Sequence, residues 1–459
     1  MMGQIEINQQ FKKALDLLED SSENVFITGK AGTGKSTFLT YFRKSTKKAL
    51  VVLAPTGVAA LNVQGETIHS FFRFQPNITV EEAEKIAGKI KKNDVYKNID
   101  IVIIDEISMV RGDLLDCVDA FLRKVLKKTK PFGGLQIVFI GDLYQLPPVV
   151  TTRDREHFSA VYESPYFFSA RVIAGGEFTL NFIELEKVYR QKEAEFIELL
   201  NAIRNNSITS EQLETLNSRV NPHCAQEDDS GHVYLTTTND AAHKVNYHKL
   251  SALTTKLFTY TAEVMGDFDG KLAPADKELS LKAGAQVMFL NNNADGLWVN
   301  GTIGVVEGID EQEIMVRTQE GFQVTVEPYK WTLYRYVFEK ETKRLYQENI
   351  GSFIQYPLNL AWAVTIHKSQ GKSFDRVIVD LGRGTFAHGQ AYVALSRCRT
   401  FSGMVLASPL KKGHIIMDYR VVMFLARFQN TAPEERCSLE EKINKASRFE
   451  LTGKSRCHK

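Results

Sequence analysis

No apolar run in the chain is long enough to cross a bilayer, and no secretory signal opens it. Cysteine is scarce. The five present, Cys117, Cys224, Cys398, Cys437 and Cys457, form no Cys-x-x-Cys pair. That spacing argues against a zinc site or a disulfide framework and for a reducing compartment. Charge of one sign is missing too. Lys and Arg number 57 against 55 Asp and Glu, a net +2. This excludes a grossly basic DNA-coating protein but leaves room for a local basic groove. No repeat recurs at solenoid spacing. What is left is a soluble, cytoplasmic chain with no membrane partner. Its 459 residues suggest two to four domains, and 43% hydrophobic with 24% charged residues can fill several cores.

What is present starts at Gly29–Ser36, GKAGTGKS, directly after Val25-Phe26-Ile27. A buried strand, a glycine-rich turn and a helix start make a phosphate cradle. Backbone N–H groups converge there without Cβ obstruction, and the helix N-terminus adds partial positive charge. Gly29, Ala31, Gly32, Thr33, Gly34, Lys35, Ser36 and Thr37 are the expected nucleotide contacts. Lys35 should reach the β- and γ-phosphates of ATP, and Ser36 should ligate Mg²⁺. Ile101–Ile104 is a second buried strand, and it ends in Asp105-Glu106. Asp105 is expected in the Mg²⁺ shell, and Glu106 should orient or deprotonate the attacking water. A third strand, Gln136–Ile140, runs into GDLYQLPP, which sets Gln145 near a γ-phosphate. A loop glutamine bonding backbone is the alternative there. Gln9 and Gln10 open a helix ahead of the P-loop. Either could read adenine, Gln10 being the expected contact, or be a solvated helix start.

The rest of the chain is read more coarsely. Ala49–Ala54 is a strand leading into Pro55-Thr56-Gly57, and Gly65–Phe72 mixes His69 with aromatics that could stack on bases. Of Phe71 and Phe72, one is expected to be core. Lys85–Lys97 is read as a solvated lysine-rich helix, Leu114–Leu126 as a structural amphipathic helix and 266–282 as a linker. Short strands separated by Asn/Gly/Asp turns follow, at Gln286–Leu290, Gly301–Gly308, Glu313–Thr318 and Phe322–Glu327. Trp298, Trp331 and Tyr334 are either core of that module or a nucleic-acid face, core being the default. The α/β pattern resumes from Ile354, and Gln390–Arg399 is read as a helix carrying Arg397. The residues alone thus give two α/β blocks, with a β module inserted in the second.

GKAGTGKS, APTGVAA, GETIHSFF, IIDEISMV, GDLYQLPP, VYRQ, AWAVTIHKSQG and QAYVALSRC occur in that order. Together they closely resemble the Pif-one (petite integration frequency) family of DNA helicases, in superfamily one beside RecD-like enzymes. The resemblance covers nearly all of residues 5–428. It implies an α/β fold of two RecA-like P-loop lobes with parallel sheets and a small SH3-like β-barrel inserted in the second. Lobe one would be 1–180 with a small insert near 65–80, lobe two 181–250 and 350–430, and the barrel 251–349, with a C-terminal helix or tail at 431–459. It also implies 5′-to-3′ translocation on single-stranded DNA with ATP and Mg²⁺, acting on forked or structured DNA, by a monomer. On this resemblance Arg190 and Arg397 are the arginines that lobe two presents to the γ-phosphate, and Gly371 is a phosphate-side glycine. Pro55, Thr56, Gly57, Thr67, His69, Phe72, Thr365, His367 and Lys368 fall in the DNA-tracking motifs. Lys30 departs from the small residue frequent in relatives. Two rivals stand beside the motor: an ATP-switched DNA-binding protein and a RecD-like subunit of a repair complex.

Overall fold

The computed structural model describes residues 7–428 except 91–93, 151–153, 192, 225–230, 383 and 386. The segment 431–459 lies outside the described residues. Six parallel strands form the first sheet: β1 (Val25–Gly29), β2 (Leu50–Ala54), β3 (Glu66–Thr67), β4 (Ile101–Ile104), β5 (Gln136–Ile140) and β6 (Asn181–Leu185), in the order β3-β2-β4-β5-β1-β6. Every residue of β1, β4 and β5 is buried, as their unbroken apolar runs require when both faces are covered. Val25, Ile27, Ile101, Ile103, Val138 and Ile140 pack with Phe11, Leu18, Phe38 and Phe42 of the helices Gln9–Asp20 and Lys35–Ser45. Their strand neighbours Phe26, Val102, Ile104 and Phe139 pack with Phe121 and Leu122 of the helix Gly112–Leu126.

Two domain limits move. The expected limit at 180 cuts off β6, which pairs with β1 along its whole length and belongs to the first sheet. The expected lobe-two segment to 430 ends instead on lobe one. The helix Tyr419–Ala426 turns Val421, Phe424 and Leu425 into the first core, where the Phe424 ring stacks 4.5 Å from Phe168.

A second sheet opens with β7 (Val233–Thr236). The chain then leaves it for β8 (Phe258–Thr261), β9 (Glu263–Gly266), β10 (Glu278–Leu281), β11 (Gln286–Phe289), β12 (Ile303–Ile309), β13 (Ile314–Thr318), β14 (Gln323–Val326), β15 (Tyr329–Glu339), β16 (Arg344–Gln355) and β17 (Leu358–Leu360). It returns as β18 (Ala363–Thr365), β19 (Val377–Val379) and β20 (Met404–Leu406), giving a parallel sheet ordered β18-β7-β19-β20.

The insert differs from expectation in three ways. The stretch 266–282 is not only a linker, since β10 lies in it and pairs with β8. The insert does not stop at 349, because β17 completes the five-stranded sheet β14-β13-β12-β11-β17. The strands also divide into separate antiparallel sheets, with β15-β16-β9 apart from the other five. Trp298 and Trp331 are buried as expected. The long β15–β16 hairpin reaches lobe one. There the Tyr336 hydroxyl accepts from the Val52 amide at 2.9 Å, the Tyr336 amide donates to Glu66, and Gln347 donates to the Gln64 carbonyl at 2.8 Å. Among the described residues no helix is long and apolar enough to cross a membrane.

Candidate active site

The turn after β1 delivers Lys35 and Ser36 to the first turn of a helix. Lys35 is held back on its own loop, donating to the carbonyls of Gly29 at 2.7 Å and Lys30 at 3.1 Å. Burial pushes its ammonium pKa down, while the carboxylates of Asp142 and Glu106 pull it up. Gly32 adopts φ +82°, and a Cβ there would lie 2.4 Å from the Cβ of Arg190. Only glycine lets the loop pass so close to that arginine.

Asp105 and Glu106 leave the end of β4, and Glu106 takes a left-handed φ of 50°. Burial raises the pKa of both carboxyls. The Glu106 charge raises Asp105 further, whereas Lys35 and Arg397 hold Glu106 back. Glu106 shares the cavity with Ser36, whereas Asp105 does not line it; two carboxyls buried side by side are a donor set that a divalent cation would suit.

Lys35, Ser36, Glu106, Gln145, Arg190, Gly371 and Arg397 line one cavity of about 690 Å³, together with Ala31, Gly32, Thr33, Gly34 and Thr37. The structure therefore gathers at one place residues spread over most of the chain. Arg190 donates to the Gly371 carbonyl through Nη2 at 3.3 Å, and its buried Nη1 has no partner. Arg397 lies just past the helix Gln390–Leu395 rather than within it, and is 1% exposed. Its donors go to carbonyls of Val393 (2.8 Å), Ser369 (3.3 Å) and Lys372 (3.2 Å) and to the Ser396 hydroxyl (2.9 Å). These partners are neutral, and burial and the nearby Arg190 push its pKa down to about 9 against the opposing charges of Glu106 and Asp142.

The two sheets meet at this cavity. The Ala31 amide donates to the Tyr392 hydroxyl at 3.0 Å, Gln370 Nε2 donates to Gln145 Oε1 at 3.2 Å, and His388 Nε2 donates to the Leu143 carbonyl at 2.9 Å. Not every expected contact is there. Gln10 does not line the cavity: its amide donates to Glu186 at 2.9 Å, and Asn8 and Phe11 line the cavity instead. Tyr189, Ser373 and Arg399 also line it and were missed. Gly29 lies beneath, packed on Leu185.

The expected DNA contacts occupy the C-terminal ends of β2, β3 and β18. Thr56 and Thr67 spend their hydroxyls capping short helices, accepting from the amides of Ala59 at 3.2 Å and Ser70 at 3.1 Å. Thr365 is buried and accepts from the Lys368 amide at 3.2 Å. Gly57 is buried against Leu272. His69 and His367 are half-buried, and burial lowers both imidazole pKa values. Thr56 and Lys368 are exposed, and Pro55 is half-buried. Phe72 is a correction. It is fully buried, with its ring 5.1 Å from Phe121 and 5.4 Å from Phe74, so no base can stack on it. Phe71 is core as well, because the turn Ile68–Phe72 points positions 68, 71 and 72 to the same side.

Comparison with known proteins agrees with this geometry. The sequence model of the PIF1-like helicase family matches residues 4–214. The ATP-dependent DNA helicase Pif1 of Bdellovibrio bacteriovorus is 34% identical over 443 residues, covering 93% of each chain. The crystal structure of Pif1 from Bacteroides sp in complex with ADP-AlF4 superposes with a TM-score of 0.85 at 38% identity, over 93% of this chain and 97% of that one. Bacteroides Pif1 bound to ssDNA gives 0.64 at 36% identity, over 93% and 97%. With that identity over nearly the full length of a relative, the chain belongs to the PIF1-like helicase family.

Proposed function

We propose that this chain, an ATP-dependent DNA helicase by family, hydrolyses ATP between its two parallel sheets and moves 5′ to 3′ along single-stranded DNA. One observation carries the reading: Arg190 and Arg397 line the same cavity as Lys35, Ser36, Glu106 and Gln145. Phosphoryl transfer needs positioning and charge neutralisation above all. Lys35, once released from its loop carbonyls, would take the β- and γ-phosphates. Glu106 would accept a proton from the attacking water, and burial makes its carboxylate the stronger base. Arg190 and Arg397 would meet the charge that develops on the γ-phosphate, a task for which a fixed guanidinium suits better than an ammonium.

Ser36 and Asp105 would hold Mg²⁺. Held there, it would supply positive charge against the phosphates of the nucleotide. ATP then favours the state in which both arginines reach it, and the lobes close on that state.

DNA is proposed to cross the C-terminal ends of β2 and β18, near Thr56, His69, His367 and Lys368. The lower likeness to the ssDNA-bound relative supports an arrangement that changes on DNA. The SH3-like character of the insert rests on its own core, in which Leu281, Phe289, Val306, Val316 and Leu358 pack together. One chain supplies every group proposed for hydrolysis, which supports action as a monomer; forked or structured DNA is the proposed substrate, with G-quadruplexes and RNA–DNA hybrids as candidates within that class.

Partial duplexes with a 5′ or a 3′ single-stranded tail, with and without ATP, test the proposal. The expected outcome is ATP-dependent unwinding of the 5′-tailed substrate alone. Equal unwinding of the 3′-tailed substrate would overturn the polarity. Binding without strand separation would favour the ATP-switched binding protein, and a requirement for a second protein would favour the RecD-like subunit.

A further inference from the structure

Gln145 is held at both ends of its amide. Its Oε1 accepts from Gln370, and its Nε2 donates to Asp142 Oδ2 at 3.2 Å. Asp142 is 1% exposed, and its other oxygen faces Arg204 Nη2 at 3.4 Å. Arg204 closes the helix Ala194–Arg204, whose Phe196, Leu199 and Ile203 are bedded in the second core. Its guanidinium lies 3.9 Å over the ring of Tyr144 and 3.8 Å from Glu184. The order Arg204, Asp142, Gln145 thus joins a helix of the second core to the amide beside the phosphate cradle.

Stability does not account for this chain of contacts. A buried ion pair loses much of its attraction to desolvation, and a well-packed apolar pair often does as well. Arg204 Nε, moreover, is buried without a partner. The Asp142 charge also acts on Lys35. The Tyr144 amide donates to Asp142 Oδ1 at 3.1 Å and would stay without Arg204, so what Arg204 adds is a fixed charge that offsets the pull of the ammonium on the carboxylate and on the Gln145 amide it holds.

We propose that Arg204 is a positioning residue for hydrolysis: through Asp142 it sets the Gln145 amide and keeps the carboxylate off Lys35. The inference rests on Gln145 serving hydrolysis as proposed above. The stack on Tyr144 fixes the plane of the guanidinium, so a lysine at 204 would keep the charge but lose the orientation.

A double-mutant cycle on single-strand-stimulated ATPase tests this, with Arg204→Lys, Gln145→Ala and the double variant. Arg204→Lys should lower kcat about tenfold with KM for ATP within about twofold, and in the Gln145→Ala background should cost less than about twofold more. Additive losses, or a loss that falls on KM, would overturn the role of Arg204. Unchanged kcat in Gln145→Ala alone would instead remove the reading beneath it. Should Arg204→Lys not melt cooperatively, Tyr144→Leu, which removes the stacking platform and keeps an apolar side chain against the two cores, carries the same cycle with the same expected non-additivity.

Discussion

The Tyr392 hydroxyl, from a helix of the second core, accepts a hydrogen bond at 3.0 Å from the Ala31 amide of the phosphate loop. Tyr392 is 4% exposed, so its ring is fixed by packing, and the oxygen ties the two lobes across the nucleotide cavity. Replacing it with Phe keeps the ring and leaves a buried N–H without a partner, a cost of about 1–2 kcal/mol against this arrangement. Tyr392→Phe is therefore expected to raise KM for ATP roughly five- to thirtyfold with a smaller change in kcat. Steady-state ATPase kinetics check this. A fall in KM would mean instead that the hydroxyl competes with phosphate for the amide.

Glu66 gives a pH dependence with a definite sign. It is 4% exposed, and burial pushes its carboxyl up to about 7 from the ordinary 4.5, against the opposing Tyr336 amide, the Ser70 hydroxyl and the Arg335 charge. Between about pH 4.5 and 7 the folded chain keeps a proton that the unfolded chain has lost. Its contribution is therefore most favourable at and below pH 4.5 and declines as pH rises to 7, by about 3 kcal/mol in all. Glu66→Gln retains an oxygen for the Tyr336 amide and removes the titration. Its melting temperature should exceed that of the parent at pH 8 and converge with it toward pH 4.5. Other titrating carboxyls are common to both proteins and cancel in the difference. A constant offset across that range would show that Glu66 does not titrate in it.

Local pattern explains what could be read in advance. Ile101–Ile104 is apolar at every position and ends in two acids, so both the buried strand and its chemistry lie within six residues. The P-loop and Gln145 are legible for the same reason. Tyr336 is different. It sits in an alternating strand, but its partner Glu66 is 270 positions away, and nothing local says that its ring enters the first core rather than the insert. Phe424 and β6 were likewise assigned by chain order, whereas packing sends both to the first sheet. Phe72 has the same spacing whether it faces DNA or core, and only the rings of Phe74, Tyr96 and Phe121 decide it. Arg204 carries no motif signal and becomes visible only beside Asp142.

Lys35 is the simplest test of the phosphate cradle. Its ammonium now rests on the carbonyls of Gly29 and Lys30, so its removal leaves those carbonyls facing an open cavity. They can take up water there, and the fold should persist. Lys35→Ala is expected to abolish ATP hydrolysis while single-strand binding remains measurable, since the proposed DNA residues lie at other strand ends. Phosphate release and fluorescence anisotropy, measured on one preparation, separate the two. Full ATPase activity in this variant would contradict the proposed role of the loop.

Arg397 tests the other side of the seam. Its four hydrogen-bond partners are neutral, so they hold the side chain without quenching its charge. Arg397→Ala would remove both the charge and the donors for three buried carbonyls, mixing a stability loss with a catalytic one. Arg397→Lys keeps a cation and part of the bonding but cannot fork onto two oxygens. If the guanidinium acts on the transition state, Arg397→Lys should lower kcat by on the order of a hundredfold, with KM for ATP within about threefold. Its melting temperature should fall less than that of Arg397→Ala, which separates the two losses. A raised KM with kcat intact would place Arg397 in ground-state binding, and Arg190, whose buried Nη1 is free of partners, would then be the remaining candidate for that charge.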